Sequence, residues 1–511
     1  MELIKAQDYY NKAIAYLEGV DHGKPHEKNF AKAEAMLNEI LNVHVGNILV
    51  LHTLGSLFAA KGFNGLAIQL FSQVVNAEEK FAEAWNNLGL AWKSLNNFEQ
   101  AEHCLSKAAK YCRKEHLADT LCNLAAINLN RGRPEQALKW VDECLQVEPG
   151  HQKGLWHQGL AYLELRKWDV AWDGHEARLH GGSPGEIAVR NYHGPDGMTP
   201  EWDGKSPGFI VIHGEQGMGD EIMFSSCIPD AMKVEGTRFL FEPSPRMAAV
   251  FARSFPNLIV HGTDKTDGNE WLGIHGRPDF KIALGSLPKF FRRSAASFPG
   301  KSYLVADRAK CAWWGDKLKA LGRRPNIGIA WQGGVEKTRF DARSFHPMLY
   351  APLFQAVDAN WISLQYDSTA LSCVEEVKKQ LSVKISHWPR AVEQINPETG
   401  KMNDLDELIA LVSKLDLVVT VCQTAVHVAG ALGVPTLCLT PSEPSWRYGA
   451  VPDETMPWYA SVRLLRQARG ASTTPFDLGT GDLGASAWTP VIERAARETQ
   501  QLIAIQKAAA S

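Results

Sequence analysis

The chain has 511 residues, of which 45% are hydrophobic and 22% are charged. This length exceeds what one hydrophobic core organises, so about two to four domains are expected. The formal net charge of -3 lacks the basic excess that general binding to nucleic acids or anionic membranes requires. Nine scattered cysteines without a CxxC pair are typical of small buried residues in a reducing compartment. With neither a signal-peptide pattern nor an apolar run of about 18 residues, the sequence predicts a cytoplasmic protein without a membrane span.

A repeated pattern of small and large residues occupies the first third of the chain. Gly55 and Gly89 are 34 residues apart, Ala125 follows 36 residues later and Gly159 after another 34, with Trp85 among the large residues beside them. This spacing fits the tetratricopeptide repeat (TPR), in which two antiparallel helices approach closely at small residues. Each hairpin exposes an apolar face that only the next hairpin covers, so several must stack. The sequence predicts an α-solenoid that either holds a protein segment in its groove or only supports the second region.

A Gly/Pro-rich connector separates the repeats from a region in which short β-branched or aromatic runs alternate with helical stretches. That alternation indicates parallel sheets covered by helices. Two such sets in series predict twin Rossmann-like lobes with a ligand cleft between the carboxyl ends of their strands. The fold class is therefore α + α/β. The predicted segments are a degenerate first repeat at about 5–47, repeats near 48–81, 82–117, 118–151 and 152–180, the connector 181–207, a first lobe at 208–310 and a second lobe at 311–511 with a closing helix.

The strands and helices of the two lobes follow from the hydrophobic pattern. The predicted strands are Phe209–His213, Arg238–Phe241, Leu258–His261, Asn326–Trp331, Trp361–Gln365, Lys384–His387, Leu417–Val421 and Thr436–Leu439. The predicted helices lie near Asp220–Lys233, Pro245–Ser254, Tyr350–Ala359, Leu405–Lys414, Thr424–Leu432 and Pro490–Lys507.

A Gly-rich turn with the sequence GEQGMGD joins the first of these strands to its helix. Gly217 and Gly219 permit a tight turn and a close approach of a ligand to the backbone, and Glu215 and Gln216 lie beside them at the predicted cleft. The turn is not the GxGxxG pattern of dinucleotide-binding proteins. Asp220 stands at the helix start, where the macrodipole favours a carboxylate. It is either a helix cap or a general base that deprotonates an acceptor hydroxyl.

A second candidate stretch follows the strand that begins at Asn326. Trp331, Gly333 and Gly334 form its Gly-rich end, and a loop containing the cations Lys337 and Arg343 comes next. Clustered cations after a strand suit a diphosphate. The alternative is a solvated basic loop without a ligand.

A third stretch joins a buried strand to a helix through a short polar turn. Free backbone N–H groups at Thr424, Ala425 and Val426, with the Thr424 hydroxyl and the neighbouring Gln423, would hold a phosphate at the helix N-terminus. His427 lies in the first helical turn, where a histidine either packs and caps the helix or contacts a nucleotide-sugar.

These three stretches, in this order, resemble the heptosyltransferase-like glycosyltransferases of the GT-B class, and in particular a bacterial branch in which TPR repeats precede that domain. The matching strings span about residues 208–467. They are GEQGMGD, GIAWQGG…RSF, WISLQYD, LDLVVTVCQTAVHVAGALGVPT, PSWRYG and MPWYASVRLLRQ.

The resemblance implies a GT-B fold whose first lobe faces the acceptor and whose second lobe holds the nucleotide-sugar. It implies that Asp220 is the catalytic base, that Arg343 lies near the phosphate-binding cation, and that Thr424 and His427 belong to the donor-binding turn. Heptosyltransferases have an aspartate at the position of Cys422, so the resemblance does not extend to the donor sugar. Inverting transfer without a metal is the expectation for the family, and the sequence has no cluster of ligands with metal-binding spacing.

The expected function is transfer of a sugar from a nucleotide-sugar, bound as a co-substrate and not as a tightly held cofactor, to a hydroxyl group. The expected acceptor is a protein recruited by the repeats, such as flagellin or another surface subunit. Two alternatives stay open at this point. One is a lipid-linked or oligosaccharide acceptor, and the other is a non-catalytic TPR adaptor whose α/β domain has lost its chemistry.

Overall fold

The computed structural model describes residues 3–18, 20–21, 24–25, 27–183, 190–193, 197–264, 268–334, 340–367, 369–393, 405–449, 452–468 and 485–510. The chain divides into two compact units. The first comprises Met1–Ala161 with His180–Gly182, and the second comprises Tyr162–Leu179 with Ser183–Ser511.

The first unit is a stack of helical hairpins, which confirms the predicted TPR solenoid. Its core repeats small residues and large apolar ones from hairpin to hairpin, as the spacing of the sequence requires. The degenerate first repeat is also a helical hairpin, with the short pair β1 (Val20–Asp21) and β2 (Lys24–Pro25) between its helices. The helices are α1 (Leu3–Glu18), α2 (Glu27–Val43), α3 (Ile48–Ala60), α4 (Asn64–Ala77), α5 (Ala82–Ser94), α6 (Phe98–Tyr111), α7 (Lys114–Asn130), α8 (Pro134–Val147) and α9 (Gln152–Glu164).

Close packing at glycine joins the two helices of the α3–α4 and α5–α6 hairpins. A Cβ atom placed on Gly89 of α5 would lie 2.8 Å from Cγ of Leu105 and 3.1 Å from the carbonyl oxygen of Ala101, both on α6. The preceding hairpin shows the same contact. A Cβ atom on Gly55 of α3 would lie 2.7 Å from the ring of Phe71 on α4. The small residues of the repeat pattern are therefore the points at which the two helices touch.

We expect Gly89→Ala to destabilise the protein by about 1–3 kcal/mol, because the new methyl group overpacks the contact with Leu105. Gly65→Ala in α4 is the matched control. A Cβ atom there meets nothing within 4 Å, so this change should stabilise the helix by a few tenths to about 1 kcal/mol. Thermal unfolding followed by far-UV circular dichroism measures both, and a shift of the same sign in both variants would contradict the packing argument.

The second unit contains two sheets of mainly parallel strands. The first has the strand order β5-β4-β3-β6, with all neighbours parallel. Because parallel strands need crossover segments, helices follow the strands and cover the sheet. Its elements are β3 (Gly208–His213), α11 (Met218–Ser225), α12 (Ile228–Ala231), β4 (Thr237–Glu242), α13 (Pro245–Ser254), β5 (Ile259–Val260), β6 (Phe280–Ala283) and α14 (Pro288–Phe291), preceded by α10 (Trp168–His175).

The second sheet has the order β12-β13-β11-β10-β7-β8-β9, and only the β12–β13 pair is antiparallel. Its central strands are buried on both faces, as parallel strands covered by helices should be. Its elements are α15 (Arg308–Lys319), β7 (Asn326–Ala330), α16 (Ala351–Ala356), β8 (Asn360–Ser363), α17 (Ala370–Leu381), β9 (Ile385–Ser386), α18 (Pro389–Val392), α19 (Asp406–Val412), β10 (Leu417–Val421), α20 (Thr424–Leu432), β11 (Thr436–Thr440), β12 (Thr455–Met456), β13 (Tyr459–Arg466) and α21 (Ala485–Ala510).

In the second unit the sequence pattern missed three of the described strands, and it ended the repeats later than the compact units do. The missed strands are β6, β12 and β13. The repeat predicted to end at residue 180 is divided, because Tyr162–Leu179 belongs to the second unit. A contact of Trp172 helps to explain why its segment belongs to the second unit. Its indole is buried and donates a 2.8 Å hydrogen bond to the carbonyl oxygen of Arg292 in the second unit.

Candidate functional site

Asp220 and Arg447 bring the loops of the two sheets together. Asp220 lies in the first turn of α11, after the Gly-rich turn that follows β3. Its Oδ1 atom accepts a 2.5 Å hydrogen bond from Nε of Arg447, which also donates from Nη2 to Oε1 of Gln216 at 3.1 Å. Arg447 lies in a short 3-10 helix, Trp446–Tyr448, that follows β11. The Asp220 and Arg447 side chains are 17% and 22% exposed, so a ligand can reach both.

His427 packs against the same Gly-rich turn. A Cβ atom on Gly219 would lie 3.1 Å from Cδ2 of His427, so glycine lets α11 approach α20 this closely. The Nδ1 atom of His427 is 3.1 Å from the hydroxyl oxygen of Tyr459. Burial lowers the pKa of His427 to about 4, although the Asp220 charge acts in the opposite direction. His427 is therefore neutral near pH 7 and supports the site through packing and hydrogen bonding.

The start of α20 offers hydrogen-bond donors. The N–H groups of Thr424 and Ala425 and the Thr424 hydroxyl have no hydrogen-bond partner within the described part of the chain, and Thr424 is half-buried. The N–H group of Val426, expected to be free, instead donates to the carbonyl oxygen of Gln423 at 3.1 Å. The Gln423 side chain turns inward, 3.4 Å from the Thr420 hydroxyl. The anion-binding capacity of this turn thus lies with Thr424 and Ala425.

Arg343 extends to this turn from the loop after β7. It is half-buried in the short 3-10 helix Asp341–Arg343, and its Nη1 atom donates to the carbonyl oxygen of Cys422 at 3.3 Å. The Cys422 side chain points away from it, with Sγ 3.8 Å from Sγ of Cys438 in the core. Cys422 therefore offers its backbone carbonyl to Arg343. Arg343 and the N-terminus of α20 therefore lie side by side, and both attract the negative charge of a phosphate group.

The segment that carries Arg447 is held by a half-buried arginine and by a buried aromatic contact. Arg466, at the end of β13, donates to the carbonyl oxygens of Tyr448 at 2.5 Å and Gly449 at 2.9 Å. The Trp446 ring stacks on Phe224 of α11, with centroids 6.2 Å apart. Sequence reasoning missed Arg447 as a site residue, although the string PSWRYG contains it.

Glu215 was predicted to line the cleft, and the structure places it in the core. Its carboxylate is buried and accepts hydrogen bonds from Arg178 at 2.5 and 2.9 Å and from the Gly285 amide at 2.8 Å. Burial alone would raise the pKa of Glu215, but the Arg178 guanidinium lowers it below its usual value. Glu215 therefore fixes the base of the turn, whereas Gln216 and the exposed Gly217 form its open side.

The residues predicted at the end of β7 divide between structure and site. Trp331 is fully buried in the core of the second sheet, so its indole does not face a ligand. A Cβ atom on Gly333 would lie 2.5 Å from the carbonyl oxygen of Cys422, and Gly334 has φ +84°, a conformation that favours glycine. Gly333 therefore lets this loop approach the α20 turn, and Gly334 supplies a left-handed backbone conformation within the loop. Lys337 lies outside the described residues.

The described residues contain neither a candidate metal site nor a membrane-spanning helix. No group of three or more His, Cys, Asp or Glu side chains in the described ranges is arranged to hold a metal ion. No described helix combines the length and apolarity needed to cross a bilayer.

Stability should fall as the pH drops from about 6.5 to about 4. Burial lowers the pKa values of both His213 and His427 to about 4, below the ordinary value of about 6.5. In this window the unfolded chain binds protons that the folded chain does not, which costs about 1.4 kcal/mol per pH unit for each histidine. Urea unfolding at a series of pH values measures the slope. His427→Asn should reduce it, and the same change at the exposed His180 should not. An unchanged slope in His427→Asn would show that His427 does not contribute.

The fold and the site define a TPR protein whose α/β unit gathers a carboxylate, two cations and a helix N-terminus between its sheets. Models of the tetratricopeptide repeat family match residues 82–115 and 117–147. The chain therefore contains TPR repeats, as the spacing predicted.

The chain is similar to Protein FlbA of Caulobacter vibrioides, with 28% identity over 461 residues. The match covers 81% of this chain and 74% of FlbA, so it extends well beyond the repeats. Similar solved structures include the MamA protein, with 20% identity, a TM-score of 0.30 and coverage of 34% of this chain and 90% of that one. Another is YrrB, described as a TPR protein with an unusual peptide-binding site, with 18% identity, a TM-score of 0.29 and coverage of 34% and 85%.

Proposed function

We propose that the protein is a GT-B-type glycosyltransferase that moves a sugar from a nucleotide-sugar to a hydroxyl group of a protein recruited by the TPR repeats. The convergence of Asp220 with the α20 turn carries this proposal. Asp220 follows β3 of one sheet and Thr424 follows β10 of the other, and Arg447 and His427 of the second sheet contact the Gly-rich turn of the first. Loops after the carboxyl ends of parallel strands are where α/β proteins bind ligands.

The chemistry divides between the two sides of this site. Asp220 takes the proton of the acceptor hydroxyl as its oxygen attacks the anomeric carbon of the sugar. The bond from that carbon to the phosphate oxygen breaks, and the nucleotide leaves with the negative charge. Arg343 and the free amides of Thr424 and Ala425 stabilise that charge. Arg447 orients Asp220 before the acceptor binds.

The repeats supply the acceptor in this scheme. A TPR stack presents an extended surface to a protein segment, and holding that segment next to the site raises its local concentration. Flagellin or another surface subunit is the acceptor we propose to test first, and a lipid-linked or oligosaccharide acceptor is the alternative.

A panel of nucleotides and nucleotide-sugars tests the proposal by thermal shift. At 100 times its Kd, a nucleotide that binds only the folded protein stabilises it by about 2.7 kcal/mol, so at least one member of the panel should raise the melting temperature. The same nucleotide-sugar should be hydrolysed slowly without an acceptor and faster with one. Comparing purified flagellin with a lipid-linked sugar then separates the two acceptor classes.

A non-catalytic adaptor is the competing function, and the pairing of Asp220 with Arg447 favours it, because that pairing occupies the proposed base. An adaptor predicts no melting shift and no turnover with any nucleotide-sugar. A shift together with turnover would exclude it.

A further inference from the structure

A row of polar side chains runs along the first helices of successive repeats. We call His52, Asn86, Asn87, Asn123 and His157 the first-helix row; they lie on α3, α5, α7 and α9. The Nδ2 atom of Asn87 is 3.0 Å from Nε2 of His52, and Nδ2 of Asn123 donates to Oδ1 of Asn86 at 3.0 Å. All five are half-buried. Hydrogen bonds thus connect the row from His52 to Asn123, and His157 continues it on α9, where its Nδ1 atom is 3.2 Å from Sγ of Cys122. A partner can still reach these groups.

One cation, Lys93, lies within this strip without a carboxylate partner. It is half-buried on α5, and within the described residues its ammonium group makes no ion pair or hydrogen bond. Burial lowers the pKa of Lys93. The titratable groups near it are the thiol of Cys122 and the ring of His157. Burial lowers the pKa of His157 to about 3. Both neighbours are uncharged near pH 7. A partly desolvated ammonium group among uncharged groups gains from an added carboxylate.

The acidic residues at the edges of the row are already paired. Glu83 lies 3.9 Å from the guanidinium of Arg113, and Asp119 lies 3.3 Å from the ring of His151. Neither forms an ion pair with Lys93. A carboxylate that pairs with Lys93 would therefore come from a partner.

We propose that the first-helix row binds an extended internal segment of the protein acceptor, and that an Asp or Glu side chain of this segment pairs with Lys93. The amides of Asn86, Asn87 and Asn123 suit an extended backbone, whose N–H and C=O groups are unpaired, unlike those of a helix. Row members lie on both sides of Lys93, with His52 on α3 and His157 on α9. The segment thus continues past Lys93 in both directions, which selects an internal acidic residue over a chain terminus. This inference rests on the recruitment part of the proposed function and not on sugar transfer.

Selection from a phage-displayed random dodecapeptide library on the full-length protein tests this inference. The selected peptides should be enriched in Asp or Glu. When they are synthesised with amidated C-termini, Lys93→Gln should weaken their binding at least about tenfold, which corresponds to about 1.4 kcal/mol. Replacing the acidic residue of the peptide by its amide should have a similar effect, and the two changes together should be less than additive. Fluorescence anisotropy measures each affinity.

Lys107→Gln is the matched control, because Lys107 lies on α6, a second helix, and already pairs with Glu79 at 3.1 Å. It should leave peptide binding unchanged. Failure to select any peptide above a blank surface, selected peptides without acidic enrichment, or equal binding by the wild type and Lys93→Gln would overturn the inference. The amide variant of the peptide keeps the test valid even if Lys93→Gln folds poorly. A failed nucleotide panel would overturn the glycosyltransferase proposal and leave this result standing.

Discussion

Asp220→Asn should reduce sugar transfer by about 10²- to 10⁴-fold, the range in which a positioned general base contributes. An asparagine keeps the size of the side chain and an oxygen that accepts from Arg447, so the contact between the sheets should persist. Donor affinity measured by calorimetry should therefore change little. The loss should appear in kcat, because the acceptor proton is transferred only in the transition state.

Asp173→Asn provides the matched control for this experiment. Asp173 is 55% exposed and pairs with Arg293 at 2.8 Å in the same unit, and an exposed pair of this kind contributes about 0–1 kcal/mol. Transfer should be unchanged in this variant. Retention of full transfer by Asp220→Asn would remove the general-base role, whereas loss of donor binding together with transfer would assign Asp220 to holding the site together.

The strands that the sequence pattern missed contain charged residues in unusual places. In β6 the buried Lys281 donates to the carbonyl oxygen of Arg190 at 2.5 Å. A buried lysine interrupts the apolar run by which a parallel strand is identified. In β13, Arg463 is exposed and pairs with Glu454, while Leu464 and Leu465 are buried. The strands predicted correctly, such as β10, are continuously apolar and buried on both faces.

The candidate site was predictable where glycine and helix-start chemistry define it and not where distant residues meet. Gly219 lies where β3 leads into α11 and Thr424 at the start of the helix after β10, where the sequence pattern placed them. The contact of Asp220 with Arg447 joins residues far apart in the chain, and no periodicity encodes such a pair. Glu215 was misassigned for the same reason, because its partner Arg178 lies in the segment assigned to the repeats.

Because Tyr162–Leu179 belongs to the second unit, it determines where a truncated protein should begin. A truncation beginning near Gly181 would remove Trp172 and Arg178, which are buried in the second unit. It would leave the Glu215 carboxylate buried without its guanidinium, a change that costs about 3–5 kcal/mol. A fragment for donor-binding tests should therefore retain Tyr162–Leu179.

Arg343→Ala should weaken nucleotide binding by about 1.5–3 kcal/mol, or about 10- to 150-fold, because a hydrogen bond to a charged group contributes this much. Arg343→Lys should recover part of the affinity, since it keeps the charge but loses the planar fork that fits a phosphate. The control is Arg324→Ala, because Arg324 is 53% exposed and pairs with Asp358 at 3.2 Å in the same sheet region. Calorimetry with the nucleotide found by thermal shift measures all three. Equal affinities in the wild type and Arg343→Ala would show that the phosphate binds elsewhere, whereas a loss shared with Arg324→Ala would indicate only a general effect of surface charge.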